Sequence, residues 1–120
     1  MENISSIIVL DHKKNSREIM KSYLEEFGFE DKIKLFDNYT EGLAEIKSGE
    51  GNIIVFIDIT DCTDKTFSAI EEIKLFTSKI VITSADYSTN SIVKAMRLGA
   101  KEFLPKPVIK EDLQRIVSIF

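Results

Sequence analysis

An α/β fold built on a doubly wound, five-stranded parallel sheet is the architecture this sequence predicts, and three features predict it. Five short apolar runs alternate with five amphipathic segments along the chain. That is the pattern of parallel strands joined by right-handed helical crossovers that cover both faces of one sheet. The central run, NIIVFID at Asn52–Asp58, holds five consecutive apolar residues, as a strand buried on both faces requires. A carboxylate, Asp58, closes that run, at the sheet edge where open α/β folds bind their ligands. Periodicity alone leaves the strand order open.

The elements follow in order. Residues 7–10 form a short buried strand, and Asp11 and His12 leave it. Asn15-Ser16-Arg17-Glu18 has the spacing of a capping box. Behind it Ile19, Tyr23, Leu24 and Phe27 mark a helical face that Gly28 closes. Residues 32–36 are a second, shorter strand. Asn38 and Glu41 repeat the capping spacing, Leu43 and Ile46 give the next helix its apolar side, and Gly49 and Gly51 end it. After the central strand, residues 60–65 read as a polar loop, and Phe67, Ile70 and Ile73 as the face of a third helix extending to Phe76. Residues 79–83 are the fourth strand, followed by Ser84-Ala85-Asp86. Ile92, Val93 and Met96 lie on a fourth helix stopped by Gly99. Residues 102–104 are the fifth strand, running into Pro105-Lys106-Pro107, and Leu113, Ile116, Val117 and Phe120 are spaced as one face of a last helix.

Composition narrows the function. The chain has 120 residues, 43% hydrophobic and 30% charged, which suits one globular domain. The net charge is −4 with both signs interleaved, so no basic stripe points to a direct nucleic-acid partner. The eight phenylalanines are core material. No apolar run approaches the roughly 20 residues of a membrane helix, and no signal-peptide pattern opens the chain. A single cysteine, Cys62, excludes an internal disulfide and fits a reducing, cytoplasmic setting. It reads as a small loop residue, and Arg17 as a solvated helix residue.

The residues leaving the long strands are Asp11 and His12, then Asp58, then Ser84, then Lys106. In a parallel sheet all of them lie on one edge. Singly, each has a plain explanation: a turn Asp, a helix cap, a solvated lysine. Together, two carboxylates, a hydroxyl and an ammonium suit phosphoryl transfer to a carboxylate. Asp58 is the candidate nucleophile and Asp11 a candidate Mg2+ ligand. Ser84 and Lys106 are placed to meet the oxygens of the transferred group.

Four stretches carry a resemblance that covers essentially the whole chain: IIVLD at 7–11, VFID at 55–58, VITSA at 81–85 and AMRLGAKEFLPKP at 95–107. The pattern resembles the receiver domain of bacterial two-component response regulators, closest in style to receivers of nitrogen-regulation and chemotaxis regulators. The resemblance implies a flavodoxin-like (βα)5 sheet of order 2-1-3-4-5, with residues 1–120 as a single receiver domain. It implies that Asp58 takes a phosphoryl group from a sensor histidine kinase or a phosphotransfer protein. By the same resemblance Asp11, Asp58 and the Thr60 backbone carbonyl hold Mg2+, Ser84 is the switch hydroxyl and Phe103 the switch aromatic. Lys106 is the phosphate lysine, and its bond to Pro107 is expected cis. The implied partners are an upstream kinase, a downstream effector domain or protein, and a second copy docking through the fourth helix, fifth strand and last helix. No enzymatic activity is implied beyond self-phosphorylation and self-dephosphorylation of Asp58.

Two places depart from the family pattern. His12 stands where the second metal-binding acid is expected, and Asp61-Cys62 stand where the family usually has Met-Pro. Magnesium prefers oxygen, so His12 either weakens Mg2+ or favours a softer ion such as Mn2+. Asp61 is a candidate stand-in for the missing acid. Thr60 sits where the family tunes the lifetime of the phosphorylated state. Two alternatives follow. One is a pseudo-receiver that binds or dimerises without phosphorylation because of His12. The other is a haloacid dehalogenase-type phosphatase, suggested by Asp58-Ile59-Thr60 but lacking a late acidic pair.

Overall fold

The computed structural model describes residues 3–120. Its elements are β1 (Ile4–Leu10), α1 (Lys14–Glu26), β2 (Ile33–Phe36), α2 (Tyr39–Ser48), β3 (Asn52–Asp58), α3 (Asp64–Lys74), β4 (Ile80–Ser84), α4 (Thr89–Leu98), β5 (Glu102–Pro105) and α5 (Lys110–Ile119). The five strands are parallel and lie in the order β2-β1-β3-β4-β5. This is the flavodoxin-like receiver fold that the resemblance implies.

Strand alternation divides the core in two. Ile8, Leu10, Val55, Ile57, Ile80 and Ile82 pack with Ile46 of α2, Ala69, Ile70 and Ile73 of α3, and Ala95 of α4. The opposite set, Ile7, Val9, Ile54, Phe56, Val81 and Leu104, packs with Met20 and Leu24 of α1 and Leu113, Ile116 and Val117 of α5. Successive strand residues point to opposite faces, so β3 must be apolar at every position from 53 to 57. Among the described residues no helix is long and apolar enough to cross a membrane.

Element boundaries differ from the expectations in instructive places. The capping box expected at Asn15 does not form: the first helix begins at Lys14, with Lys13 as its cap, and Asn15 and Glu18 lie inside it. The Asp11 carboxylate draws the start forward by accepting the Lys13 backbone N–H at 2.9 Å. The buried face of α1 is Met20 and Leu24, flanked by Tyr23 and Phe27, whereas Ile19 is exposed. Ala95 supplies the buried position of α4, and Val93 and Met96 face outward. The loop expected at 60–65 contains the α3 cap, a box between Thr63 and Thr66. That helix ends at Lys74, short of Phe76, which is exposed. Strand β1 starts at Ile4 rather than Ile7, and β5 extends to Pro105. Asn38 caps α2 as expected, accepting the Glu41 N–H at 2.9 Å. Gly99, at φ +135°, ends α4 and turns the chain into β5; a side chain at that φ is strained.

Phe56 is the largest fully buried side chain of the central strand. Phe56→Ala is expected to lower unfolding free energy by about 3–5 kcal/mol. Urea denaturation checks this, as a shift in midpoint at unchanged slope.

Candidate functional site

Register brings the candidate residues together. Leu10 pairs with Ile57, Asp58 with Thr83, and Ser84 with Pro105. The next residues out, Asp11 and Lys106, therefore flank Asp58 at the carboxyl edge of the sheet. Lys106 Nζ lies 2.5 Å from Asp11 Oδ2 and also contacts Asp58 Oδ2. The three side chains are 3%, 4% and 10% exposed for Asp11, Asp58 and Lys106. Water screens charges so placed only weakly, and the two carboxylates need the ammonium between them.

Asp58 is held in one orientation by its own loop and by β4. Its Oδ1 accepts the Thr60 N–H at 2.9 Å, and its Oδ2 accepts the Thr60 hydroxyl at 3.0 Å and the Thr83 hydroxyl at 3.4 Å. Thr60 Oγ1 in turn accepts the Ala85 N–H at 3.0 Å, which ties this loop to the end of β4. Asp11 is fixed by the Lys13 N–H on Oδ1, and the Arg17 guanidinium donates to the Asp11 carbonyl at 2.8 Å. Arg17 is thus a half-buried clamp from α1 onto the end of β1, rather than a solvated helix residue.

His12 sits at the rim, its side chain 54% exposed. One ligand atom each of Asp11, His12 and Asp58 lies within 4.8 Å of the others, so the three can share one cation. Asp61 stands outside that set. It is exposed, with Oδ2 3.8 Å from His12 Nε2. A cleft of about 230 Å³ opens over the cluster, lined by Leu10, Asp11, His12, Asp37, Asn38, Tyr39 and Asp58. Burial pushes the Tyr39 phenol above its ordinary value. Its hydrogen bond with Thr66, 3.0 Å long, opposes that shift, and the negative charge of Asp58 adds to it.

The two candidate switch residues lie apart from this cluster. Ser84 does not touch Asp58. Its hydroxyl donates to the Asp86 carbonyl at 2.5 Å and accepts the Asp86 N–H at 2.9 Å. Strand alternation explains this: Thr83 is level with Asp58 and shares its face, and Ser84, one residue on, turns to the other. Phe103 is half-buried and packs edge-to-face on Tyr87, ring centres 6.2 Å apart. The Tyr87 hydroxyl donates to the Lys106 carbonyl, and the Lys106–Pro107 bond is cis as expected. Cys62 donates to the Ser91 hydroxyl at 3.3 Å and packs against the α2–α4 core.

Thr83, Tyr39 and Tyr87 are the site residues that sequence reasoning missed. Tyr39 follows the short second strand, whose end belongs among the strand ends that converge here. Thr83 was concealed by the register, and nothing local in the sequence marks Tyr87.

Comparison with known proteins agrees with this geometry. A family model described as the response regulator receiver domain matches residues 7–118. The DNA-binding transcriptional regulator NtrC of Bradyrhizobium sp. (strain RP501 Parasponia) is 25% identical over 116 residues, covering 95% of this chain and 23% of that relative. The chain thus spans about a quarter of that relative's length. A two-component response regulator from Clostridium difficile is 26% identical, with a TM-score of 0.82 over 96% of this chain and 93% of its own. A CheY-like receiver domain protein from Methanospirillum hungatei JF-1 superposes with a TM-score of 0.83 at 22% identity, over 98% and 93% of the two chains.

Two measurements test the electrostatics. The folded chain holds the Tyr39 proton more tightly than the unfolded chain does. Its contribution to stability is therefore complete below the unfolded value of 10.0 and is lost as pH rises towards the raised folded value. Phenolate absorbance should show a component titrating above that value, and Tyr39→Phe should remove it. Lys106→Met leaves two buried carboxylates without their ammonium, and denaturation should show a loss of about 3 kcal/mol.

Proposed function

This chain belongs to the response regulator receiver domain family, and from that membership we propose that it is a phosphorylation-controlled switch with Asp58 as phosphoacceptor. Receiver domains are in general non-catalytic signalling domains that interact with histidine kinases and effector domains and bind Mg2+ at an acidic cluster. The observation that carries the finer reading is the meeting of Asp11, Asp58 and Lys106 at one sheet edge, with one ammonium bridging two buried carboxylates. We take residues 1–120 as one receiver domain acting in the cytoplasm.

In the transfer an Asp58 carboxylate oxygen attacks the phosphorus of a phosphohistidine on the donor protein. An O–P bond forms, and the N–P bond breaks with its electron pair left on the imidazole. Thr60 and Thr83 hold the carboxylate in place, so little reorientation is needed at the moment of attack. Lys106 then passes from carboxylate to phosphoryl oxygen, where a point charge stabilises the product. Asp11, Asp58 and the Thr60 carbonyl would hold a divalent cation, which would supply charge neutralisation for the transferred group. Those oxygen donors fit magnesium; the His12 imidazole does not.

The output follows from Ser84 and Phe103. A phosphoryl group on Asp58 offers the Ser84 hydroxyl a stronger acceptor than the Asp86 carbonyl. Turning inward, Ser84 frees the 85–87 loop and the contact between Tyr87 and Phe103. The surface of α4, β5 and α5 then changes, a two-state element biased by a local charge event. An effector domain, an effector protein or a second copy reads that surface. His12 favours a second reading, a pseudo-receiver that keeps the fold and acts by binding alone.

Intact mass after incubation with acetyl phosphate separates the two. The wild-type chain should gain one phosphoryl group in the presence of a divalent cation. Chelator or Asp58→Asn should abolish the gain. No gain under any condition, in a folded protein, leaves the pseudo-receiver reading.

A further inference from the structure

We infer that the cation site at the sheet edge is tuned to a first-row transition dication rather than to magnesium, with His12 supplying a nitrogen ligand. The inference rests on the receiver reading above for the use of the site. Its chemistry stands on the residues themselves.

The oxygen donors of the cluster are heavily committed. Asp11 gives Oδ1 to the Lys13 N–H and Oδ2 to Lys106. Asp58 gives Oδ1 to the Thr60 N–H and Oδ2 to Lys106 and two hydroxyls. Those commitments bear on any cation alike, so the His12 nitrogen is what separates the ions. An imidazole does little for a hard cation that demands near-octahedral oxygen. For first-row transition dications it is a good ligand, and affinity at mixed nitrogen and oxygen sites rises from Mn2+ towards Ni2+ and Cu2+.

The geometry allows the nitrogen to take part. Its ligand atom lies within 4.8 Å of carboxylate oxygens of both Asp11 and Asp58. Donors around an ion with bonds near 2.1 Å stand about 3–4 Å apart, so a modest turn of the exposed His12 side chain closes the set. Asp61 Oδ2 is 3.8 Å from His12 Nε2, in reach of the carboxylate–histidine pairing that orients ligating imidazoles and raises their basicity. Asp61 then acts on the metal through His12, as a positioning residue.

The test is clean because His12 is the chain's only histidine. Calorimetric titrations with Mg2+, Mn2+ and Ni2+ would be run on the untagged protein, on His12→Asp and on His12→Ala, with no phosphoryl donor present. Pulsed EPR of the Mn2+ complex would report imidazole nitrogen directly. The ratio of Ni2+ to Mg2+ affinity is expected to fall by about tenfold or more in His12→Asp, with Mg2+ binding strengthened. Nitrogen modulation should be present in the wild type and absent in His12→Ala. An affinity ratio unchanged by His12→Asp, or a wild-type complex without nitrogen modulation, overturns the inference. Failure to gain a phosphoryl group from acetyl phosphate with every ion would instead overturn the acceptor role of Asp58, so the two failures are told apart.

Discussion

Two carboxylates buried against an apolar sheet cannot stand alone, and the position of Lys106 answers that constraint. Desolvation of each anion costs several kcal/mol, and removing the partner of such a group costs nearly as much. Lys106 comes from the far end of the chain, 95 residues beyond Asp11. It also fixes its own backbone to the end of β4 and the loop that follows. Its N–H donates to the Ser84 carbonyl at 2.9 Å, and its carbonyl accepts the Tyr87 hydroxyl. The ammonium is therefore the tip of an arm rooted in β4 and the 85–87 loop. Whatever draws that tip towards a new anion acts on the same backbone that carries Ser84.

Strand alternation sets the division of labour. Asp11 follows Val9 in parity, Asp58 follows Phe56 and Lys106 follows Leu104, all members of the core that faces α1 and α5. Ser84 follows Ile82, and Phe103 packs with that same set, facing α2, α3 and α4. The carboxylate cluster and the pair Ser84 and Phe103 therefore belong to opposite faces of one sheet and meet only at its edge. Thr83 lies level with Asp58 and touches it without any rearrangement, whereas Ser84 can do so only by giving up its bonds to Asp86. Under the proposed switch, a hydroxyl already in place carries no signal, whereas one that must change partners can.

The fold was legible because buried parallel strands leave an unambiguous mark. The runs at 7–10, 53–57 and 80–82 are apolar at every position, and no amphipathic helix or hairpin is written that way. Helix starts were less legible. Asn15 carries the chemistry of a cap, yet a tertiary contact, Asp11 on the Lys13 N–H, starts the helix earlier. Buried faces erred by one position at Ile19 and Met96, because Met20 and Ala95 take the inward places. At the site, Asp11, Asp58 and Lys106 were legible as strand-end residues. Thr83 and Tyr87 were not, since the one depends on register and the other on the loop it closes.

His12 occupies the most exposed place in the cation cluster, while Asp11 and Asp58 are almost wholly buried. Sequence change is cheapest at such a rim. An imidazole there disturbs neither the Lys106 pairing nor any core contact, whereas a histidine at Asp11 would give up the bonds to both Lys13 and Lys106. Asp58, its threonine cradle and Lys106 can thus stay fixed while the residue at the rim changes. Local consistency is broken at an exposed position beside a buried cluster whose hydrogen bonds stay satisfied, and breaks of that kind are expected at functional sites rather than in the core.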